Sequence, residues 1–216
     1  MSHDSQLKQS VLDELKWEPS IDAAHIGVTA KDGVIALMGH VENFSQKRAA
    51  ERAAGRVKGV KAVAEEIEVR LPFNTKRGDE EIAAAAIERL AWDVSVPKDA
   101  IKVKIEKGWV TLTGQVDWHY QKEAAEQDIR GLHGVVGVSN QATIKSRVNT
   151  VNLSDAIGSA LHRSWFFDSD NVMVSADGGK VKLSGTVESW HDREVAESTA
   201  WAAPGATSVE NNIMIS

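Results

Sequence analysis

The chain has 216 residues, of which 42% are hydrophobic and 26% charged, and its formal net charge is −6 at pH 7. This composition is that of a globular protein, and no apolar run approaches the roughly 20 residues that a membrane-spanning helix requires. A net-acidic chain is a poor general binder of nucleic acid, because neutralising phosphates requires clustered lysine and arginine. The absence of cysteine excludes disulfides and thiolate metal ligands.

One pattern of 63 residues occurs three times, and offsets of 75 and then 71 residues relate its equivalent positions. We therefore predict three tandem domains, with boundaries at 1–72, 73–146 and 147–216. Three glycines mark each copy, and their spacing matches no phosphate-binding loop, so we interpret all nine as structural. These glycines are Gly33, Gly39, Gly59, Gly108, Gly114, Gly134, Gly179, Gly185 and Gly205.

Each copy begins with apolar residues at helical spacing, such as Leu7 and Leu15 in the first copy. Asp4, Asp79 and Thr150 precede these stripes, at the place where a side chain would cap the helix N-terminus. The first element of every copy is therefore predicted to be an amphipathic helix.

Alternating apolar residues follow, and a turn such as Asp32-Gly33 between them is typical of a tight β-hairpin. A second helix is predicted from about Phe44 to Val57, and its alanine-rich face allows close approach to a sheet. A last strand from Val60 to Val69 completes the unit. Each copy is predicted to be an α-β-β-α-β unit of an α+β fold, with two helices on one face of a three-stranded mixed sheet. The sequence leaves open whether the last strand pairs with the first strand or with the second.

A glycine and valine motif recurs around each predicted hairpin, and a Val-x-Asn motif closes the second and third copies. The first motif reads Val28-x4-Gly33-Val34-Ile35-x-Leu37-x-Gly39-x-Val41, Val103-x4-Gly108-Trp109-Val110-x-Leu112-x-Gly114-x-Val116 and Val174-x4-Gly179-Lys180-Val181-x-Leu183-x-Gly185-x-Val187; the second reads Val138-x-Asn140 and Val209-x-Asn211. Copy one departs from the second motif, with Glu65 at the Asn position. Copy three has Ala206 after its third glycine, where the other copies have valine. In register, the copies resemble the BON domain, a family named for bacterial osmotically induced and nodulation-related proteins.

The resemblance implies a non-enzymatic protein of bacterial osmotic stress or envelope physiology. Because the family is associated with phospholipid surfaces, the leading expectation is weak binding to anionic phospholipid membranes. One alternative is a cytoplasmic stress or chaperone-like protein that binds protein clients through its uncovered sheet faces. Another is a binder of a monovalent cation such as potassium.

A basic run in the first copy is the best candidate site for anionic headgroups, at about 1 kcal/mol for each basic group near a charged surface. Its members are Lys47, Arg48, Arg52, Arg56, Lys58 and Lys61. The alternative, which we favour, is a solvated helix face on which Lys47 pairs with Glu51 one helical turn later.

Seven tryptophans are present. Three of them and one phenylalanine are candidate apolar anchors at a membrane interface. They are Trp17 and Trp92, which follow the first helices at equivalent positions, and Trp165 and Phe166 of the third copy. The favoured alternative is that the aromatic residues pack between adjacent copies.

No motif predicts catalysis, a cofactor or a metal site, since the seven histidines are scattered without a closely spaced ligand set. We expect no nucleic-acid partner. The first residues lack the apolar segment of a secretory signal, so we expect a cytoplasmic protein, with the periplasm as the alternative that holds for many BON proteins.

Overall fold

The computed structural model describes residues 3–146, 153–163 and 171–215, and each predicted copy folds as an α-β-β-α-β unit. Unit 1 consists of α1 (His3–Trp17), β1 (Ile26–Lys31), β2 (Val34–Val41), α2 (Phe44–Gly55) and β3 (Ala62–Val69). Unit 2 consists of α3 (Asp79–Trp92), β4 (Ile101–Glu106), β5 (Trp109–Val116), α4 (His119–Arg130), β6 (Gly137–Asn140) and β7 (Thr143–Ile144). Unit 3 consists of α5 (Leu153–Arg163), β8 (Val172–Asp177), β9 (Lys180–Val187), α6 (Trp190–Trp201) and β10 (Ser208–Ile215).

The hairpin strand that follows the turn is the central strand of each sheet, which settles the pairing left open by the sequence. In unit 1, β2 pairs antiparallel with β1 and parallel with β3, so that Val28 lies opposite Leu37 and Val34 opposite Ala62. Units 2 and 3 repeat this order, with the last strand of unit 2 divided into β6 and β7. The predicted fold class, α+β with mixed three-stranded sheets, is confirmed.

Both helices of a unit bury their apolar faces against one face of its sheet. In unit 1, Val11 and Leu15 of α1 and Ala50 and Ala53 of α2 join the core formed by the sheet. Alanine at the α2 positions keeps the helix close to the strands, and Ala125 of α4 is equally buried. Within residues 3–146, 153–163 and 171–215, the opposite face of each sheet carries no helix of its own unit.

The aspartates predicted as helix caps have a different role in the structure. Asp4 and Asp79 lie inside the first turn of their helices, and Gly78 occupies the cap position of α3. Asp79 instead accepts hydrogen bonds from the backbone N–H groups of Lys107 (2.8 Å) and Gly108 (2.9 Å) in the hairpin turn. The carboxylate therefore ties the start of the first helix to the turn between the two hairpin strands; Thr150, the third predicted cap, lies outside the described residues.

Replacing Asp79 with alanine is expected to lower the free energy of unfolding by about 1–2 kcal/mol, because two turn N–H groups lose their acceptor. Urea unfolding followed by circular dichroism measures the change. Glu80→Ala is the matched control, since it removes an equal charge from the same helical turn. Equal losses in both variants would contradict the proposed role of the hydrogen bonds.

The Asn position of the last strand joins that strand to the second helix. The Asn211 amide donates to Glu197 (2.9 Å) and to the Arg193 carbonyl (3.3 Å) in α6. In unit 1 the departure Glu65 replaces this contact with an ion pair, at 2.9 Å from the Lys47 ammonium. The partners of the Asn211 amide therefore lie in α6, the second helix of the unit.

The three second helices meet end to end, in an arrangement we call the helix triangle. Phe44, the first residue of α2, is buried in the core of unit 2, and the neighbouring Ser45 hydroxyl donates to the carbonyl of Arg130 at the end of α4 (3.0 Å). Phe44, His119 and Trp190 are equivalent first residues, and Arg130, Trp201 and Gly55 are equivalent last residues.

The same contact is made at the other two corners of the helix triangle. The ring of His119 stacks on that of Trp201, with centroids 4.0 Å apart and planes inclined by 11°. Trp190 lies against Gly55, where an added Cβ would come within 3.1 Å of the indole. Unit 1 thus contacts unit 2, unit 2 contacts unit 3, and unit 3 contacts unit 1, which closes the chain into a ring with approximate threefold symmetry.

Candidate functional site

The predicted basic run does not form one continuous face, because its first two members are used within the protein. Lys47 pairs with Glu65 and also donates to the carbonyl of Ile67 at 2.8 Å. Arg48 pairs with Glu51, which replaces the predicted Lys47–Glu51 pair. These two side chains are therefore engaged in the structure of unit 1.

The remaining basic side chains are exposed, and one of them also links two helices. Arg56 lies 3.0 Å from Glu14 and 3.1 Å from Glu18, so it ties the end of α2 to the end of α1. Arg52, Lys58 and Lys61 are exposed to solvent. The positive charge of this region is thus partly balanced by the acidic groups of α1.

Two tryptophans extend into solvent at the ends of the first helices. Trp17 is 85% exposed and Trp92 is 79% exposed, and Val94, two residues beyond Trp92, is 100% exposed. These positions differ from our favoured expectation that the aromatic residues pack between copies. That expectation holds for Trp190 and Trp201; Trp165 and Phe166 lie outside the described residues.

Trp17 and Trp92 occupy equivalent positions in units 1 and 2, at the last residues of the first helices α1 and α3. Both units therefore present an exposed indole at the same place of their fold.

An apolar groove beside Trp92 was not predicted from the sequence. It lies between α3 and β4, has a volume of about 580 Å³, and includes Ala91, the residue that precedes Trp92 in the chain. Ile87, Leu90 and Val96 line it, and the exposed Lys98 and Lys102 lie at its side. Its lining comes from a helix and a strand separated in sequence, so helical or strand spacing alone could not indicate it.

A second cavity, of about 690 Å³, lies at the helix triangle. Its walls include the stacked pair His119 and Trp201, together with Tyr120. Burial is the main cause that lowers the pKa of His119 to about 4, and Lys122 acts in the same direction while Glu197 and Glu126 oppose it. At neutral pH this imidazole is therefore uncharged.

Comparison with known proteins identifies the repeated unit. The family model of the BON domain matches residues 3–70, 78–146 and 149–216. The chain belongs to the BON domain family. The glycine motif of that resemblance lies at the hairpin of each BON unit, where β1 and β2, β4 and β5, and β8 and β9 meet.

A relative of this chain supports the same family assignment. The chain is 30% identical over 143 residues to Osmotically-inducible protein Y of Escherichia coli (strain K12), a match that covers 62% of this chain and 71% of that protein. Two solved structures of CdsD, described as a structural protein of the type III secretion system of Chlamydia trachomatis, are each 18% identical. They have TM-scores of 0.27 and 0.28 and cover 98% and 100% of this chain and 92% and 99% of theirs. Scores this low carry no conclusion about this protein.

The outer sheet faces of the BON units carry several exposed apolar side chains. Trp109 alternates with the buried Val110 and is half-exposed over Gly137. Met173 and Met214 of unit 3 are likewise largely exposed. These faces remain the candidate surfaces for protein clients.

One buried carboxylate was missed because its partners are distant in sequence. Asp128 of α4 is buried in BON unit 2 and accepts a hydrogen bond from Arg89 of α3 at 2.8 Å. Burial raises the pKa of Asp128, Arg89 opposes this shift, and the nearby Asp93 adds to it. Since Arg56 joins the two helices of unit 1 at a comparable place, we interpret the pair as a helix-to-helix tie.

Among the described residues, no group of three histidine, aspartate or glutamate side chains is placed to hold a metal ion. In the same part of the chain, no helix is both long and apolar enough to cross a bilayer.

Proposed function

We propose that this protein is a non-enzymatic binding protein of osmotic stress or envelope physiology, which associates weakly with anionic phospholipid surfaces. The observation that carries the proposal is the exposure of Trp17 and Trp92 at equivalent positions, at the ends of α1 and α3. The relation to Osmotically-inducible protein Y supports the physiological setting.

The two indoles have the chemistry of interfacial anchors. Tryptophan is favoured at membrane interfaces, where its apolar ring leaves water while its N–H still finds a polar partner. Trp92 has the fully exposed Val94 beside it, so the apolar surface there extends beyond one side chain. Two such indoles on one protein favour binding through avidity when both enter the same bilayer.

The charges suited to attracting anionic headgroups are the exposed ones. Lys98 and Lys102 lie along the groove that adjoins Trp92, and Arg52, Lys58 and Lys61 are exposed in unit 1. Each contributes about 1 kcal/mol near an anionic surface, and salt screens this contribution. A net charge of −6 opposes strong binding, so a weak and salt-sensitive association is expected.

The test is flotation of the purified protein with liposomes, and the variant Trp17→Ser/Trp92→Ser is expected to lose at least tenfold in partition coefficient. The reason is that insertion removes two large apolar side chains from water. Wild-type protein should float with vesicles containing phosphatidylglycerol at low salt, and much less with neutral vesicles or at physiological salt.

Trp109→Ser is the matched control, because it removes a half-exposed indole from an outer sheet face. Lys98→Ser/Lys102→Ser tests the charge at the groove and should weaken flotation mainly at low salt. No flotation of the wild type under any of these conditions would refute the proposal. Equal losses from Trp109→Ser and the double variant would refute the assignment of the face.

A second candidate function, binding of unfolded protein clients, is favoured by the exposed Met38, Trp109, Met173 and Met214 on the outer sheet faces. Methionine adapts its shape to varied apolar partners. This function predicts suppression of client aggregation with little salt dependence.

A further inference from the structure

The cavity at the helix triangle lies where units 2 and 3 meet. Most of its lining comes from α4 of unit 2 and α6 of unit 3, and Arg48 of α2 adds a residue from unit 1. Arg48, Glu123 and Glu194 are equivalent positions of the three second helices. A volume of about 690 Å³ is within the range of small-molecule sites in proteins.

The cavity combines aromatic walls with an excess of negative charge. Trp118, Tyr120 and Trp201 contribute to the walls. Glu123, Glu194 and Glu197 are the acidic lining residues, and Arg48, the basic one, is already paired with Glu51. Electron-rich ring faces and carboxylates both attract positively charged groups, so the walls and the charges select the same kind of ligand.

The state of Glu123 supports this selection. Its pKa is raised, first by partial burial and then by the carboxylates of Glu126 and Glu197, while Arg130 opposes the shift; 69% of the side chain is nevertheless exposed, so a ligand can reach it. A cation placed beside Glu123 would relieve the repulsion between these acidic groups.

The arrangement fits an extended organic cation better than a metal ion. The acidic lining residues belong to two helices, and no three of them lie close enough to share one metal ion within the described chain. A molecule with two or more cationic centres can reach carboxylates on both helices. Methylene groups between those centres would contact the aromatic walls.

We propose that the cavity at the helix triangle binds an aliphatic oligoamine, whose ammonium groups pair with Glu123 and Glu194 and whose methylene chain contacts Tyr120 and Trp201. Because the ligand contacts units 2 and 3 together, binding strengthens the corner formed by His119 and Trp201. Ligand occupancy thus stabilises the closed ring by mass action. This site is separate from the surface proposed for lipid, and each can fail without the other.

Isothermal titration calorimetry of the full chain with spermidine tests this inference, with propylamine and magnesium chloride as comparison titrants. Glu123→Gln and Glu194→Gln are each expected to weaken spermidine binding about tenfold, the effect of losing one charge-assisted contact. Glutamine at position 194 still accepts the hydrogen bond that the Trp190 indole gives to Glu194 at 3.2 Å, so the corner is conserved.

Glu88→Gln is the matched control, because it removes the same charge from the exposed surface of α3. Spermidine binding that exceeds that of both comparison titrants, and that is retained in Glu88→Gln, would support the proposal. Absence of binding at millimolar spermidine would overturn it. Equal binding of magnesium, or an equal loss in the Glu88→Gln control, would overturn it too by showing a general charge effect.

Discussion

Replacing Gly114 with alanine is expected to lower the free energy of unfolding by about 3 kcal/mol or more. Gly114 lies within β5 with a φ of +139°, a conformation that side-chain-bearing residues rarely adopt. A Cβ at this position would lie 2.0 Å from the carbonyl oxygen of Ala100, which directly precedes β4. The neighbouring strand would have to move away from the centre of the sheet, and the pairing of β4 with β5 would be lost near its end.

Urea unfolding followed by circular dichroism measures this loss, with Gly131→Ala as the matched control. Gly131 follows α4 with a φ of −86°, and a Cβ there would meet no atom within 4 Å. Alanine at position 131 should leave stability unchanged or raise it by a few tenths of a kcal/mol, because it restricts the unfolded chain. A Gly114→Ala protein as stable as the wild type would contradict the assigned close approach.

The same close approach occurs at the equivalent positions of the other units, which explains why this glycine marks every copy. A Cβ on Gly39 would lie 2.0 Å from the His25 carbonyl, and one on Gly185 would lie 1.9 Å from that of Asn171. A glycine repeated at fixed spacing could be interpreted from the sequence as structural. Its role is to let two backbones approach closely inside the sheet and not to form a turn, and only the pairing register of the strands reveals this role.

The fold of each unit was predictable because its determinants are local in sequence. Helical spacing, the Asp32-Gly33 turn and the alanine face of α2 all lie within short windows, and each is borne out by an element of unit 1. Strand order was not predictable, since the last strand could satisfy the same apolar alternation beside either neighbour.

Closure of the ring could not be predicted, because its contact residues change identity from copy to copy. Phe44, His119 and Trp190 share a position but not a chemistry, and Gly55 and Trp201 share another. Aligning the copies draws attention to positions that keep one residue type. The corners instead need different residue types at equivalent positions, so that the first residue of one helix fits the last residue of the helix it meets. A small residue at position 55 accommodates the indole of Trp190, and a flat ring at 201 receives the flat ring of His119.

The candidate surface for lipid was only partly predictable for a similar reason. Trp17 and Trp92 were recognisable from the sequence as tryptophans at equivalent positions near the ends of the first helices, and the structure leaves both exposed. The basic run was misleading as a single site, because the sequence does not indicate that Lys47 of α2 forms an ion pair with Glu65 of β3. The exposed charge at Lys98 and Lys102 was overlooked, since only folding places these lysines at the groove between α3 and β4.

Acidification between pH 6.5 and 4 is expected to destabilise the folded protein by about 3 kcal/mol through His119 alone. Its pKa is lowered to about 4 in the fold, mainly by burial, from an ordinary value of 6.5. The stabilising contribution of the neutral imidazole is therefore complete above pH 6.5. It is lost as the pH falls, because the unfolded chain takes up a proton that the folded chain refuses until about pH 4.

The charged groups around His119 determine how much of this effect appears in the whole protein. Lys122 lies on the same helix, Glu123 approaches the imidazole at 3.6 Å, and Glu126 and Glu197 favour its protonation. Glu123 has a raised pKa, so its own protonation stabilises the fold at acidic pH and offsets part of the loss. The difference between wild type and a His119 variant separates the imidazole from these carboxylates.

His119→Phe provides that difference, because Phe44 already occupies the equivalent corner of unit 1 and a phenyl ring can still stack on Trp201. Urea unfolding at a series of pH values should give parallel stabilities for both proteins above pH 7. Below pH 6.5 the free energy of unfolding of the wild type should decrease more steeply as the pH falls. The difference in slope between the two proteins should correspond to at most one proton taken up on unfolding. Identical slopes down to pH 4 would show that the imidazole is not buried at this corner. The steeper fall would mean that the contact between units 2 and 3 makes the ring sensitive to acid, since His119 must leave Trp201 or carry a buried charge against it.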